Sequence, residues 1–170
     1  MDPRPLRVLF VCTGNSARSI MAESLLNGLG RGRFRALSAG SEPTGVVNRF
    51  ARELLQASHM PVEGLRSKSW DEFTMPGAQP LDFVFTVCDR AAAGPCPVWP
   101  GQPVTAHWSI KDPAKAEGDV DAKQRAFFHA FNELQTRVML LVNLPLEQFN
   151  RAALKQKLND IGKVPADATI

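Results

Sequence analysis

Apolar residues in this chain follow two alternating rhythms. Residues 6–12 are almost all apolar, with Val8, Leu9, Phe10 and Val11 in an unbroken run. That is the pattern of a strand buried on both faces. The polar turn residues Thr13, Gly14, Asn15 and Ser16 interrupt it, and Ile20, Met21, Ala22, Leu25 and Leu26 then recur at helical spacing, which predicts a helix over 17–30. Gly28, Gly30 and Gly32 break that helix, and a second strand follows at 34–39, closed by Gly40. A loop with Pro43 leads to an amphipathic helix at 46–57, with Val47, Phe50, Ala51, Leu54 and Leu55 on one face. Residues 60–69 read as loop or short extended chain, and 70–73 as one helical turn.

The second half repeats the alternation. Residues 82–87, Asp-Phe-Val-Phe-Thr-Val, form the clearest buried strand, and it ends on Cys88. Residues 91–103, rich in Ala, Gly and Pro, predict a mobile loop. A fourth strand is expected at 104–110 and a loop at 111–118 around Asp112-Pro113. A long helix is expected at 120–144, with Phe127, Phe128, Phe131, Leu134, Val138, Leu141 and Val142 facing the core. Pro145 ends it, a shorter helix fills 146–160, and 162–170 form a loose tail. Strands alternating with helices predict an α/β fold with a parallel sheet covered on both faces. Ligands bind such sheets beyond the carboxyl ends of their strands. Cys12 and Cys88 both fall there, so one site can hold both.

Composition narrows the function. A chain of 170 residues that is 44% hydrophobic suits one domain over 1–170, with its core at about 6–160. The net charge of +3 comes without a basic run, which argues against nucleic acid. No apolar run nears the roughly 18 residues of a membrane span, and no signal-peptide pattern opens the chain. A cytoplasmic protein is expected. Its three cysteines fit catalysis, metal binding or inert burial better than a secreted disulfide framework.

The stretch from Cys12 to Ser19 carries the chemistry. A strand–loop–helix junction of small polar residues aims backbone N–H groups at one point, and the helix N-terminus adds positive potential there. A tetrahedral oxyanion fits it, held by Thr13, Gly14, Asn15, Ser16, Ala17, Arg18 and Ser19. Arg18 can grip two of its oxygens. Cys12 is the expected nucleophile, its thiol pKa lowered by the helix end and by Arg18. The plainer reading, an inert buried cysteine, does not explain the Cys-x5-Arg-Ser spacing. Ser19 is expected to hydrogen-bond the sulfur, to cap the helix, or to do both. Asn15 tolerates left-handed backbone angles and suits a strained loop. Asp112 follows a strand, overhangs the same sheet end, and can act as general acid; alone, Asp-Pro is a common turn. Cys88 and Cys96 make a weak zinc pair, because His59, His107 and His129 lack ligand spacing to them. A redox role fits better: Cys88 attacks Cys12, and Cys96 attacks Cys88 if its loop moves.

Cys12-Thr-Gly-Asn-Ser-Ala-Arg18-Ser19-Ile-Met-Ala-Glu23 resembles the oxyanion loop of arsenate reductases built on the low-molecular-weight protein tyrosine phosphatase fold. Ser38-Ala-Gly-Ser-Glu-Pro, Phe85-Thr-Val-Cys88-Asp, Cys96-Pro-Val-Trp-Pro-Gly and His107-Trp-Ser-Ile-Lys-Asp112-Pro-Ala are similar to that family too. The resemblance implies a three-layer fold with a four-stranded parallel sheet flanked by helices. It implies that Cys12 attacks arsenate, Asp112 protonates the departing oxygen, and Cys88 then Cys96 take over as disulfide partners. It implies no tightly bound cofactor, only an external thiol reductant: thioredoxin, or glutathione with glutaredoxin. The Cys88–Cys96 spacing is one residue longer than in the thioredoxin-coupled pattern. Family members that bind potassium use the residues matching Asn15, Glu23 and Ser38 with an acidic residue where Ser69 stands here. No metal is expected beyond a weak potassium site there.

Two other functions compete. A low-molecular-weight tyrosine phosphatase needs Cys12, Arg18 and Asp112 but neither Cys88 nor Cys96. Such phosphatases carry tyrosine after Asp-Pro; here Ala114 follows Asp112-Pro113, and the chain has no tyrosine at all. A non-enzymatic oxyanion-binding or thiol-sensing module needs an output domain, and none is visible.

Overall fold

The computed structural model describes residues 4–165. Four strands, β1 (Leu6–Cys12), β2 (Phe34–Gly40), β3 (Phe83–Thr86) and β4 (Val104–His107), form one parallel sheet in the order β2-β1-β3-β4. Among the described residues five α-helices cover it: α1 (Arg18–Leu29), α2 (Arg49–Ala57), α3 (Asp89–Ala93), α4 (Val120–Val142) and α5 (Arg151–Ile161). The expected three-layer α/β architecture is the observed one.

The central strand explains the unbroken apolar run. Val8, Leu9, Phe10 and Val11 are wholly buried because β1 has a strand on each side and helices on both faces. Phe10 stacks on Phe85 with ring centroids 5.4 Å apart, and Trp108 packs against both. Complete burial of such a side chain contributes about 1.5–3 kcal/mol. Helix α1 packs against β1, β2 and α4. Its residues 19–26 are all buried, so it has no solvent stripe. Helix α5 packs on β4, where the Trp108 indole N–H donates to the Leu158 carbonyl at 2.9 Å.

Several boundaries differ from the hydrophobic pattern, each for a local reason. Helix α2 starts at Arg49 rather than 46, because the Asn48 side chain accepts from the Phe50 amide and caps it. The 146–160 stretch splits into a 3-10 turn, Leu146–Gln148, and α5, which Asn150 caps through the Ala153 amide. Residues 89–93, placed partly in the mobile loop, form α3. Strand β4 ends at His107 instead of 110. Beyond it the Trp108 and Ile110 amides still donate to the Thr86 and Val87 carbonyls as the chain turns toward Asp112. Phe128 is 54% exposed rather than core, since α4 turns that position outward. Residues 166–170 of the expected tail lie outside the described residues.

The sheet order puts the site in place. From β1 the chain crosses to β2 on one side, while β3 and β4 lie on the other. The crevice where the order reverses opens above the carboxyl ends of β1 and β3.

Candidate active site

Both strands that border the crevice deliver a cysteine to it. Cys12 ends β1, and Cys88 follows β3 and begins α3. A cleft of about 690 Å³ is lined by Cys12, Thr13, Gly14, Asn15, Ser16, Ala17, Arg18, Cys88 and Asp112, with Ser109, Ile110 and Lys111 on the far wall. Four of the five residues expected to carry the chemistry are therefore together. The loop from Thr13 to Ala17 wraps the Cys12 sulfur, and the Asn15 amide donates to Sγ at 3.1 Å.

Ser19 sits behind this loop, wholly buried, with Oγ 2.9 Å from Cys12 Sγ. It does not cap α1, whose N-cap is Ala17 with no side-chain hydrogen bond. Of its two expected roles, the thiol partner is the one observed. The expected lowering of the Cys12 thiol is not. Burial pushes the thiol up, against the opposing pull of the Ser19 hydroxyl, the Asn15 and Ser19 amides and the Arg18 charge. Cys12 is only 2% exposed, and there desolvation of a thiolate outweighs those donors.

Arg18 spans the cleft. One guanidinium nitrogen donates to the Ile110 carbonyl at 3.1 Å, and the other lies 3.4 Å from Asp112 Oδ2. The Asp112 carboxylate also accepts from the Ala114 amide at 3.0 Å, which holds it at the rim. Thr13 Oγ1 lies 3.4 Å from Cys88 Sγ, so a loop residue touches the second cysteine directly.

Asn15 keeps the loop in shape. Its φ is +46°, the left-handed conformation expected for it. Its side-chain N–H group donates to Ser19 Oγ at 2.8 Å and Ser38 Oγ at 3.0 Å, and its Oδ1 accepts from the Lys68 amide at 2.9 Å. Ser38 in turn donates to Glu23 at 2.5 Å. Sequence reasoning reads residues 60–69 as loop or short extended chain and so misses Lys68. It also misses why Gly40 closes β2: a Cβ there collides with the Thr13 carbonyl and crowds Asn15. The only early signal was the small residue at a strand end facing the loop.

Low molecular weight phosphotyrosine protein phosphatase is the family whose model matches residues 7–158. The chain belongs to that family. Within it, an arsenate reductase of Halalkalibacterium halodurans is 34% identical over 131 residues, covering 77% of this chain and 91% of that protein. A glutaredoxin arsenate reductase of Synechocystis is 31% identical over 107 residues, 63% of this chain and 78% of that one. The crystal structure of arsenate reductase from Archaeoglobus fulgidus aligns with a TM-score of 0.63 at 29% identity, over 81% of this chain and 99% of that chain.

For a member of this family the position of Cys96 is notable. It does not line the cleft. It is exposed beyond α3, its Sγ 3.7 Å from the Ala91 carbonyl, beside a separate hollow bordered by Trp99 and His107. The start of α3 is tied down from the end of β4 and the segment after it: His107 Nε2 and Ser109 Oγ both hydrogen-bond Asp89 Oδ1, at 2.8 and 2.9 Å. These bonds hold the Asp89 carboxyl below the usual aspartate range.

Proposed function

We propose that this protein is an arsenate reductase working by a cysteine relay. The observation that carries the reading is Cys88: a second thiol shares the cleft of Cys12, Arg18 and Asp112, with Thr13 between the loop and its sulfur. Hydrolysis of a phosphoester uses no second thiol.

Arsenate lies in the Thr13–Ser19 loop against its amides, and Arg18 turns from Asp112 to two of its oxygens. Cys12 Sγ attacks arsenic and gives up its proton as the S–As bond forms. Asp112 delivers a proton to the departing oxygen, so the thiol and hydrogen arsenate give a Cys12–S–AsO3 adduct and water. Cys88 then attacks Cys12 Sγ as thiolate. The S–As electron pair passes to arsenic, As(V) becomes As(III), arsenite leaves, and a Cys12–Cys88 disulfide forms. Cys96 attacks Cys88 and releases Cys12 as thiolate. This step needs residues 89–96 to rearrange, and the five residues of α3 are a short stretch to unwind. An external thiol reductant, thioredoxin or glutathione with glutaredoxin, reduces the Cys88–Cys96 disulfide, and no tightly bound cofactor takes part. A reaction drawing on these reductants belongs in the cytoplasm. No helix among the described residues is long and apolar enough to cross a membrane.

An NADPH-coupled arsenate assay, run with each reductant system and beside a p-nitrophenyl phosphate control, tests this. Arsenate-dependent NADPH oxidation is expected with one system. Phosphate release without it returns the protein to the phosphatases.

A further inference from the structure

With the Lys68 ammonium beside Glu23, the donor set that binds potassium in some family members leaves no place for that ion. Asn15 Oδ1 is committed to the Lys68 amide, and Ser38 Oγ both accepts from Asn15 and donates to Glu23. Ser69 Oγ turns away to accept from the Asp71 amide at 3.1 Å. Among the described residues no group of three or more His, Cys, Asp or Glu side chains could hold a metal. What stands beside Glu23 is an ammonium group. Lys68 Nζ is 3.8 Å from Glu23 Oε1, with 7% of the Lys68 side chain exposed, and it donates to the Arg66 carbonyl at 2.9 Å.

Lys68 is joined to the loop at both ends. Its amide donates to Asn15, and its ammonium faces Glu23, which accepts from Ser38, which accepts from Asn15. The result is a closed ring: Asn15, Ser38, Glu23, Lys68 and back to Asn15. Outside the ring Asn15 donates to Ser19, the partner of the Cys12 sulfur. Around Glu23 lie three positive side chains, Lys68 by contact and Arg35 and Arg66 at longer range. Arg66 is engaged by Glu72 at the surface. The Lys68 carbonyl also accepts from the Gly40 amide, which fixes its backbone to the end of β2.

We propose that Lys68 is a positioning residue for the oxyanion loop, a tethered ammonium that takes the place of a bound alkali cation and makes the loop independent of potassium. A buried carboxylate in α1 needs a neutralising charge, because one left unpaired is strongly destabilising. A covalently attached cation supplies that charge at any salt composition. The proposal deepens the arsenate reductase reading, but it concerns the loop and holds for any tetrahedral oxyanion bound there.

The test therefore reads inorganic phosphate binding by calorimetry and thermal melting, each in potassium chloride and in tetramethylammonium chloride at equal ionic strength. For the wild-type protein both are expected to be the same in the two salts. Lys68→Ala removes the tether and leaves a cavity beside Glu23. In tetramethylammonium chloride it is expected to bind phosphate about tenfold more weakly and to melt lower. Potassium or ammonium chloride should restore both. A potassium-dependent wild type, or a Lys68→Ala variant that matches wild type in both salts or recovers in neither potassium nor ammonium, overturns the proposal. If Lys68→Ala does not fold, the charge-free pair Lys68→Met with Glu23→Gln carries the test. It should fold, melt identically in both salts and bind phosphate more weakly than wild type; wild-type binding by that pair also overturns the proposal. A wild type that binds no phosphate removes the oxyanion site itself, and the salt dependence of melting still decides the role of Lys68.

Discussion

The Arg18 guanidinium lies 3.4 Å from the Asp112 carboxylate across the mouth of the cleft. One pair thus joins the group proposed to grip the oxyanion to the group proposed to protonate its departing oxygen. Asp112→Asn keeps the size of the side chain and removes its proton-donating ability. It is expected to slow Cys12–arsenic adduct formation by about 10²–10⁴-fold. Rapid-quench measurement of the adduct checks this, and an unchanged rate takes Asp112 out of the mechanism.

Cys88 and Cys96 have separable fates because only Cys88 shares the cleft with Cys12. Cys12→Ser should abolish reduction. Cys88→Ser should stop at one adduct per protein, and Cys96→Ser should trap a Cys12–Cys88 disulfide after one arsenate. Peptide mapping under non-reducing conditions reads all three. Wild-type turnover by Cys88→Ser with either reductant contradicts the relay.

Ser19 bears on the pH profile. The buried Cys12 thiol is pushed up by desolvation, and the Ser19 hydroxyl is the largest of the groups pulling it back down. Ser19→Ala removes that pull, so the thiolate should appear at higher pH than in wild type. Alkylation of Cys12 by iodoacetamide across pH is the measurement. A profile that stays put or moves to lower pH rejects the role of the hydroxyl.

Gly40 is a steric prediction. A Cβ added there meets the Thr13 carbonyl and Asn15, backbone and loop rather than a yielding side-chain end. Gly40→Ala is expected to cost about 1–3 kcal/mol and to weaken phosphate binding as the loop shifts. Urea unfolding and calorimetry test it, and full stability with full binding would show that the loop has room to give.

The fold and half of the site can be read from single residues. Hydrophobic runs and helical spacing place β1, α1 and β3 because burial on both faces of a central strand demands continuous apolar residues, as Val8 to Val11 show. Element ends are less legible, since caps such as Asn48 outweigh the apolar pattern. The left-handed Asn15 was legible because few residues tolerate that conformation. Lys68 was not, because nothing local in the sequence distinguishes a buried lysine from a solvated one.

By itself the sequence determined the Cys-x5-Arg loop between a strand and a helix, and a second cysteine at another strand end. Loop chemistry and strand burial are local, so both are written in neighbouring residues. Only the tertiary structure decided that β1 and β3 are adjacent, so that Cys12 and Cys88 share one cleft, while Cys96 stands outside it. It also decided that burial outweighs the nearby donors at Cys12, and that Lys68 reaches Glu23. Desolvation and ion pairing depend on everything that surrounds a group, and those surroundings come from segments far apart in the chain.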